Sequence, residues 1–217
     1  DSIRIEDIVI QNAVLGHTGS ITLQTAMNYS LNTGMVTIGK LLGGGSLNST
    51  ARDKIYDYFH NRFGLGQETG IEILESKGLL VSPKKAEGNA VRYSNMTFGQ
   101  GMTTTMLQTA NAFSSLVNGG TLYKPSVIEG TVDENGKLSK KEPEINKEAV
   151  ISKETSEQMK QVLEGVRKAG GAKDPSGYQI GGKTGTSQTI VGGKYVDYQT
   201  IGSYVGFGGG DEAEYVI

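Results

Sequence analysis

The 217 residues carry 21 Lys and Arg against 23 Asp and Glu, and a net charge of −2 builds no field for nucleic acid or an anionic membrane surface. With no cysteine and two histidines, the chain excludes disulfides and thiolate chemistry and leaves little for a metal centre. Its length and 36% hydrophobic content suffice for one sizeable core, and no apolar run approaches the ~18 residues of a membrane span. Glycine, at 32 residues, is about twice its usual share of ~7% and follows no three-residue period, which points to glycine-punctuated strands and turns.

In chain order, residues 3–14 alternate poorly and read as a short helix or an irregular lead-in. Ser20 is placed to cap a helix running to Asn28, with Leu23, Ala26 and Met27 inward. A second helical pattern follows Asn32 (Met35, Val36, Ile38, Leu41, Leu42) and stops at Gly43-Gly44-Gly45, so Ser30-Leu31-Asn32 sits at a junction of two apolar helices. Thr50 with Asp53 has the form of a capping box and opens a helix over 51–63, with Ile55, Tyr58, Phe59 and Phe63 on one face and Gly64 after it. His60 on that helix and His17 in a Gly-His-Thr-Gly loop read as surface residues.

Residues 64–101 read as irregular. Thr103 or Thr104 then caps an amphipathic helix whose inward stripe runs from Met106 and Leu107 through Phe113 to Val117, ended by Asn118-Gly119-Gly120. Residues 127–137 predict a hairpin turning at Asn135-Gly136, and the charged run 137–147 a solvated connection. Ser152 caps a last helix to about Ala169, with Glu154 and Glu157 toward its positive end and Arg167 and Lys168 toward its negative end. Strands are predicted over 178–189, 195–207 and from 213 onward.

The chemistry centres on Gly181-Gly182-Lys183-Thr184-Gly185-Thr186-Ser187-Gln188. On a strand, Thr184 and Thr186 share one face and Lys183 and Gly185 the other, and the bare Gly185 leaves room for another backbone. Taken singly, such signals are weak: Lys183 reads as an exposed strand lysine, and Ser30 and Asn32 as caps of the helix beginning near Thr33.

Together, in this order and with Phe98-Gly99-Gln100-Gly101 between them, these stretches resemble the transpeptidase domain of a penicillin-binding protein, a motif set shared with serine β-lactamases. The resemblance covers nearly all 217 residues and includes Ser30-Leu31-Asn32-Thr33-Gly34-Met35, Gly64-Leu65-Gly66-Gln67 to Gly70-Ile71, Asn118-Gly119-Gly120 and Lys124-Pro125. The Thr186-Ser187-Gln188 continuation is similar to the monofunctional class B proteins. The family implies an α/β fold with an antiparallel sheet flanked by helices, and no cofactor or metal. It implies Ser30, Asn32 and Lys183 as catalytic residues, and Thr184, Gly185, Thr186, Ser187 and Gln188 as the strand that binds substrate or β-lactam.

In that scheme a serine attacks the carbonyl of a terminal D-alanyl-D-alanine, expels D-alanine and forms an acyl-enzyme, which an amine of a neighbouring stem peptide resolves. Lys183 attracts the substrate carboxylate, the Thr184 and Thr186 hydroxyls bind it, and the Thr186 N–H gives half of the oxyanion hole. Ser30 relays a proton to the leaving amine, and Asn32 holds a substrate amide. The implied partners are peptidoglycan stem peptides and β-lactams, with division or elongation proteins as candidates. Nucleic acid is not among them, and membrane contact is expected only through an N-terminal anchor outside the chain. The implied location is the extracytoplasmic face of the bacterial membrane.

One departure matters. The family's Ser-x-x-Lys nucleophile motif precedes Ser-x-Asn, yet residues 1–29 hold none. The sole match, Ser82-Pro83-Lys84-Lys85, follows Ser30 in a lysine-rich irregular stretch and reads as chance. The expectation is that the chain is the C-terminal two-thirds or so of the domain, inactive without a nucleophile supplied from outside it. Two alternatives stay open. One is a D,D-carboxypeptidase or β-lactamase, for whose deacylating base Glu72 and Glu75 are poor candidates because their segment reads as a structural turn. The other is a non-catalytic β-lactam sensor or a scaffold.

Overall fold

The computed structural model describes residues 1–217, apart from the side chains of Ile190, Lys194, Tyr195 and Asp197. Residues 3–14, read as a helix or a lead-in, instead open the chain as a hairpin. Strands β1 (Ser2–Ile5) and β2 (Ile8–Gln11) pair antiparallel around Glu6, whose φ of 52° makes the tight turn. The register sets Ile3 opposite Ile10 and Ile5 opposite Ile8, so four β-branched side chains share one face, and Ile5 and Ile10 are buried. The alternation is clear once the two-residue turn is allowed for.

Helix α1 (Leu23–Asn28) is capped by Thr22, two residues later than read, and Leu23 is exposed while Ala26 is buried. Helix α2 (Asn32–Leu41) buries Val36. Helix α3 (Ser49–Tyr56) starts at Asn48, whose side chain accepts from the Ala51 N–H, so the Thr50/Asp53 box is not its cap. It runs on as a π-helical turn through Asp57–Arg62, clipped by an Asp57–Arg62 ion pair of 2.9 Å. Within 64–101, the seven residues of α4 (Ala90–Met96) depart from the expected irregularity. Asn89 caps the helix, which buries Tyr93, Ser94 and Met96. Helix α5 (Met106–Val117) is capped by Thr105, leaving Met106 exposed and Phe113 and Val117 inward.

The charged run after α5 is more ordered than a solvated connection. Strand β3 (Leu122–Tyr123) pairs with β6 (Ile145–Lys147), and β4 (Gly130–Val132) with β5 (Leu138–Lys140). Helix α6 (Lys153–Ala169) matches its reading, with Ser152 accepting from the Thr155 N–H at 3.1 Å. The main sheet follows in the order β7 (Gln179–Val191), β8 (Lys194–Gly209), β9 (Tyr215–Val216), all antiparallel, so β7 lies at an edge.

Among the described residues, two clusters of buried side chains stand out. Ile5, Ile10, Val36, Ile55, Tyr93 and Met96 close one between the hairpin and α2–α4; Phe113, Val117, Leu163 and Phe207 close the other between α5, α6 and the sheet. Gly181 lets β7 lie directly on α6: a Cβ there would strike the Phe207 ring and come within 2.9 Å of the Glu164 nitrogen.

Candidate active site

The corner between α1 and α2 is built on Leu31, which is fully buried and turns its neighbours outward. Ser30 takes the left-handed conformation at φ 52°, bending the chain between the two helices. Leu31 occupies the N-cap position of α2 and gives no side-chain bond, so neither Ser30 nor Asn32 is the helix cap. The end of β2 does that work instead. The Thr33 N–H donates to Asn12 Oδ1 at 3.0 Å, and Asn32 Nδ2 donates to the Gln11 carbonyl at 2.9 Å.

On the opposite wall runs β7. Gly206 exchanges both backbone bonds with Ile217 on the β9 side, at 3.0 Å each. In an antiparallel ladder its β7 partner, Gly182, is therefore a non-bonded pair whose N–H and C=O point to the free edge. The same parity turns the N–H groups of Thr184 and Thr186 outward. Lys183 lies on the other face of the strand, shared with Gly181, and its Nζ donates to the Thr184 carbonyl at 2.9 Å. Partial burial lowers the Lys183 ammonium below its ordinary value of 10.5, since desolvation disfavours the cation. The space over Gly185 is less open than its lack of a side chain suggests: a Cβ there would meet Ser203 Oγ at 2.5 Å.

Between the walls lies a cleft of about 830 Å³ that brings together Ser30 and Asn32 from the corner with Lys183, Thr184, Gly185, Thr186 and Gln188 from β7. Phe98 and Gln100, just after α4, close one side. Ser187 is the one expected site residue not among the lining groups. Among the described residues lining the cleft, Lys183 is the only charged one. A lone, partly desolvated cation facing neutral donors favours an anion, above all a carboxylate that can accept several hydrogen bonds at once.

Neither glutamate weighed as a deacylating base lines the cleft. Glu75 accepts from the Thr69 and Gly70 N–H groups at 2.9 and 2.7 Å, and Glu72 is held by Ser126 and Lys141. Ser82 and Lys85 are likewise absent from the lining, and Ser82 Oγ accepts from the Lys84 N–H at 3.3 Å. Among the described residues, no group of His, Asp and Glu side chains is arranged to hold a metal ion.

Sequence reasoning missed Asn12, Tyr29 and Thr200, all of which line the cleft. Tyr29 abuts Ser30 and was within reach. Asn12 depends on the hairpin, and Thr200 faces Gln188 only through the β7–β8 register.

The family model described as penicillin binding protein transpeptidase domain matches residues 3–217. The chain is 36% identical over 206 residues to the stage V sporulation protein D of Bacillus subtilis, covering 93% of this chain and 30% of that protein. It is 32% identical to the penicillin-binding protein PbpB of Mycolicibacterium smegmatis, covering 97% of this chain and 35% of that one. It thus spans about a third of the length of these relatives. Among solved structures, the crystal structure of penicillin-binding protein 3 from Mycobacterium tuberculosis complexed with aztreonam superposes with a TM-score of 0.83 at 27% identity, over 99% of this chain and 48% of that one. Motifs, sheet and cleft agree with these likenesses, and the chain belongs to the penicillin-binding protein transpeptidase family.

Proposed function

We propose that the protein carrying this chain is a peptidoglycan D,D-transpeptidase, cross-linking stem peptides through a serine acyl-enzyme, and that β-lactams acylate the same serine. The observation that carries the reading is the shared cleft: the Lys183 strand and the Ser30–Asn32 corner face one another across it. Two related proteins of Neisseria bear the name probable peptidoglycan D,D-transpeptidase, which supports the reaction class.

The substrate peptide adds to the free edge of β7 as a further strand. Its carboxylate is drawn by the Lys183 ammonium and bound by the Thr184 and Thr186 hydroxyls, and the Thr186 N–H stabilises the oxyanion, a contribution of about 3 kcal/mol per donor. Ser30 passes a proton to the leaving D-alanine amine, and Asn32 holds a substrate amide. The nucleophile comes from outside residues 1–217, because neither Ser30 nor Ser82 begins a suitably placed Ser-x-x-Lys. The reaction takes place on the outer side of the cytoplasmic membrane, where peptidoglycan lies.

The test is to label the full-length protein with a fluorescent penicillin and map the adduct by peptide mass spectrometry. The expected adduct is on a serine of a Ser-x-x-Lys outside this chain, long-lived and abolished by changing that serine. An adduct on Ser30 or Ser82, or no adduct, overturns the reading; rapid release of hydrolysed drug points to a β-lactamase instead.

A further inference from the structure

The hairpin that begins the chain runs into the cleft wall at Gln11 and the residues after it. Asn12 is 5% exposed, lines the cleft beside Asn32, and receives the Thr33 N–H on its Oδ1. That bond fixes which end of the carboxamide is which, because an N–H can only meet the oxygen. The other end, Nδ2, is then a buried donor with no hydrogen-bond partner. An orphaned buried donor is unfavourable, and it offsets part of what the Thr33 bond contributes. The Asn12 N–H in turn donates to the Asp1 carbonyl at 3.0 Å, and the neighbouring Gln11 carbonyl takes Asn32 Nδ2. Gln11, the last residue of β2, and Asn12 just after it therefore grip the first turn of α2 at both its Asn32 side chain and its backbone.

We propose that Asn12 is a positioning residue for the Ser30–Asn32 corner: by supplying the cap that α2 lacks, it fixes the pitch of the helix's first turn and so the placement of Ser30 and Asn32 across from Lys183. Leu31, in the cap position, has no side-chain acceptor with which to do this, and the backbone bonds of the corner, from the Ser30 and Leu31 N–H groups to the Met27 and Ala26 carbonyls, close the end of α1 and not the start of α2. The hairpin is thus part of the cleft's frame. Its role is in the oxygen end of Asn12, not in the amide end.

The test compares Asn12→Ala and Asn12→Asp in the full-length protein with two readouts. One is backbone hydrogen–deuterium exchange of the peptide containing Thr33. The other is equilibrium binding of N-acetyl-D-alanyl-D-alanine, measured at high salt to screen the charge that Asp adds. Asn12→Ala is expected to speed exchange at Thr33 about fivefold or more and to weaken the dipeptide about tenfold, with exchange elsewhere unchanged. Asn12→Asp keeps an oxygen toward Thr33, removes the orphan donor and sets a negative charge at a helix N-terminus, so it is expected to restore both readouts. Wild-type exchange at Thr33 in Asn12→Ala, or failure of Asn12→Asp to restore it, overturns the proposal. So does loss of dipeptide affinity in Asn12→Asp equal to that in Asn12→Ala, which would assign the amide end to the ligand. If Asn12→Ala does not fold, Asn12→Gln takes its place; it displaces the oxygen by one methylene and is expected to give the same two changes. The ligand arm rests on the reading of the cleft as a peptide-carboxylate site. If the wild-type protein binds no dipeptide, that reading fails and the exchange arm alone decides for or against Asn12.

Discussion

On the proposed function, the cleft's selectivity turns on Lys183, because among the described lining groups it alone is charged. Desolvation holds its ammonium below 10.5, so in the window between its folded value and 10.5 the unfolded chain binds more protons. Stability contributed through this group is therefore least at lower pH and rises across that window. Ligand affinity has the opposite slope: it is full while the ammonium is charged and falls as pH rises through the folded value. A bound carboxylate pulls that value back up, since the charged form gains a partner. Lys183→Ala is expected to weaken N-acetyl-D-alanyl-D-alanine by about thirtyfold, the loss of one charge-assisted bond of about 2 kcal/mol, and to flatten the alkaline limb of the pH profile. Titrating both proteins calorimetrically across that pH range checks this. An alkaline limb that survives in the variant assigns anion recognition to another group.

At the scale of elements, the β4–β5 hairpin is tied down at one carboxylate. Glu72 accepts from Ser126 Oγ at 2.6 Å, from Lys141 Nζ at 2.9 Å and from the Val127 N–H at 3.0 Å, and these bonds hold its carboxyl at about 2. The restraint is complete above the ordinary value of 4.5 and is lost as pH falls toward 2. Glu72→Gln removes the charge and presents an amide donor to Lys141, so protection of the amides over 126–141, relative to their intrinsic exchange rates, is expected to fall at neutral pH as it does for the wild type in acid. Dipeptide affinity should not change, and a drop in affinity would tie the hairpin to the cleft. Elements were legible in the sequence where their signals are local and repeated. Helix α6 carries its cap, its charge gradient and its glycine stop within twenty residues, and β7 and β8 are long and β-branched between glycines. Helix α4 was not legible, since seven residues make too few turns to show a period, and its Tyr93 and Met96 are buried by tertiary neighbours. The caps of α1, α3 and α5 lay one or two residues from where they were read, because serines, threonines and asparagines crowd each start and only the folded backbone chooses among them. The same division holds at the site. Ser30, Asn32 and Lys183 sit in contiguous motifs, whereas Asn12 enters the cleft only through the pairing of a misread hairpin.

Over the whole molecule, the cleft lies between elements that pack on the two core clusters, so the contacts that join those elements are candidates for setting its width. One wall, the Ser30 corner, hangs from the end of α1; the other, Lys183, rides on β7, which lies on α6 through Gly181. Helix α1 meets α6 at Gln24, whose Nε2 donates to the Val162 carbonyl at 3.1 Å and to Asn28 Oδ1 at 2.7 Å. Gly165 makes the space for it, since a Cβ there would lie 2.8 Å from Gln24 Nε2. Gln24 therefore ties α1 to α6 without lining the cleft. Gln24→Ala removes a net hydrogen-bond contribution of about 1 kcal/mol and leaves the Val162 carbonyl bonded only within its helix. If the seam sets the width, the variant loses about that much stability and also binds the dipeptide about threefold to tenfold more weakly, the size expected when a distant contact biases a two-wall site. Adding Lys183→Ala should then cost less than its full effect, because a widened cleft has already lost part of the Lys183 contact. Denaturant unfolding and calorimetry on the two single variants and the double variant measure each quantity. Unchanged dipeptide affinity in Gln24→Ala would mean that the seam acts on stability alone and that the walls are set by their own packing, and strict additivity of two affinity losses would mean that the seam does not act through the Lys183 contact.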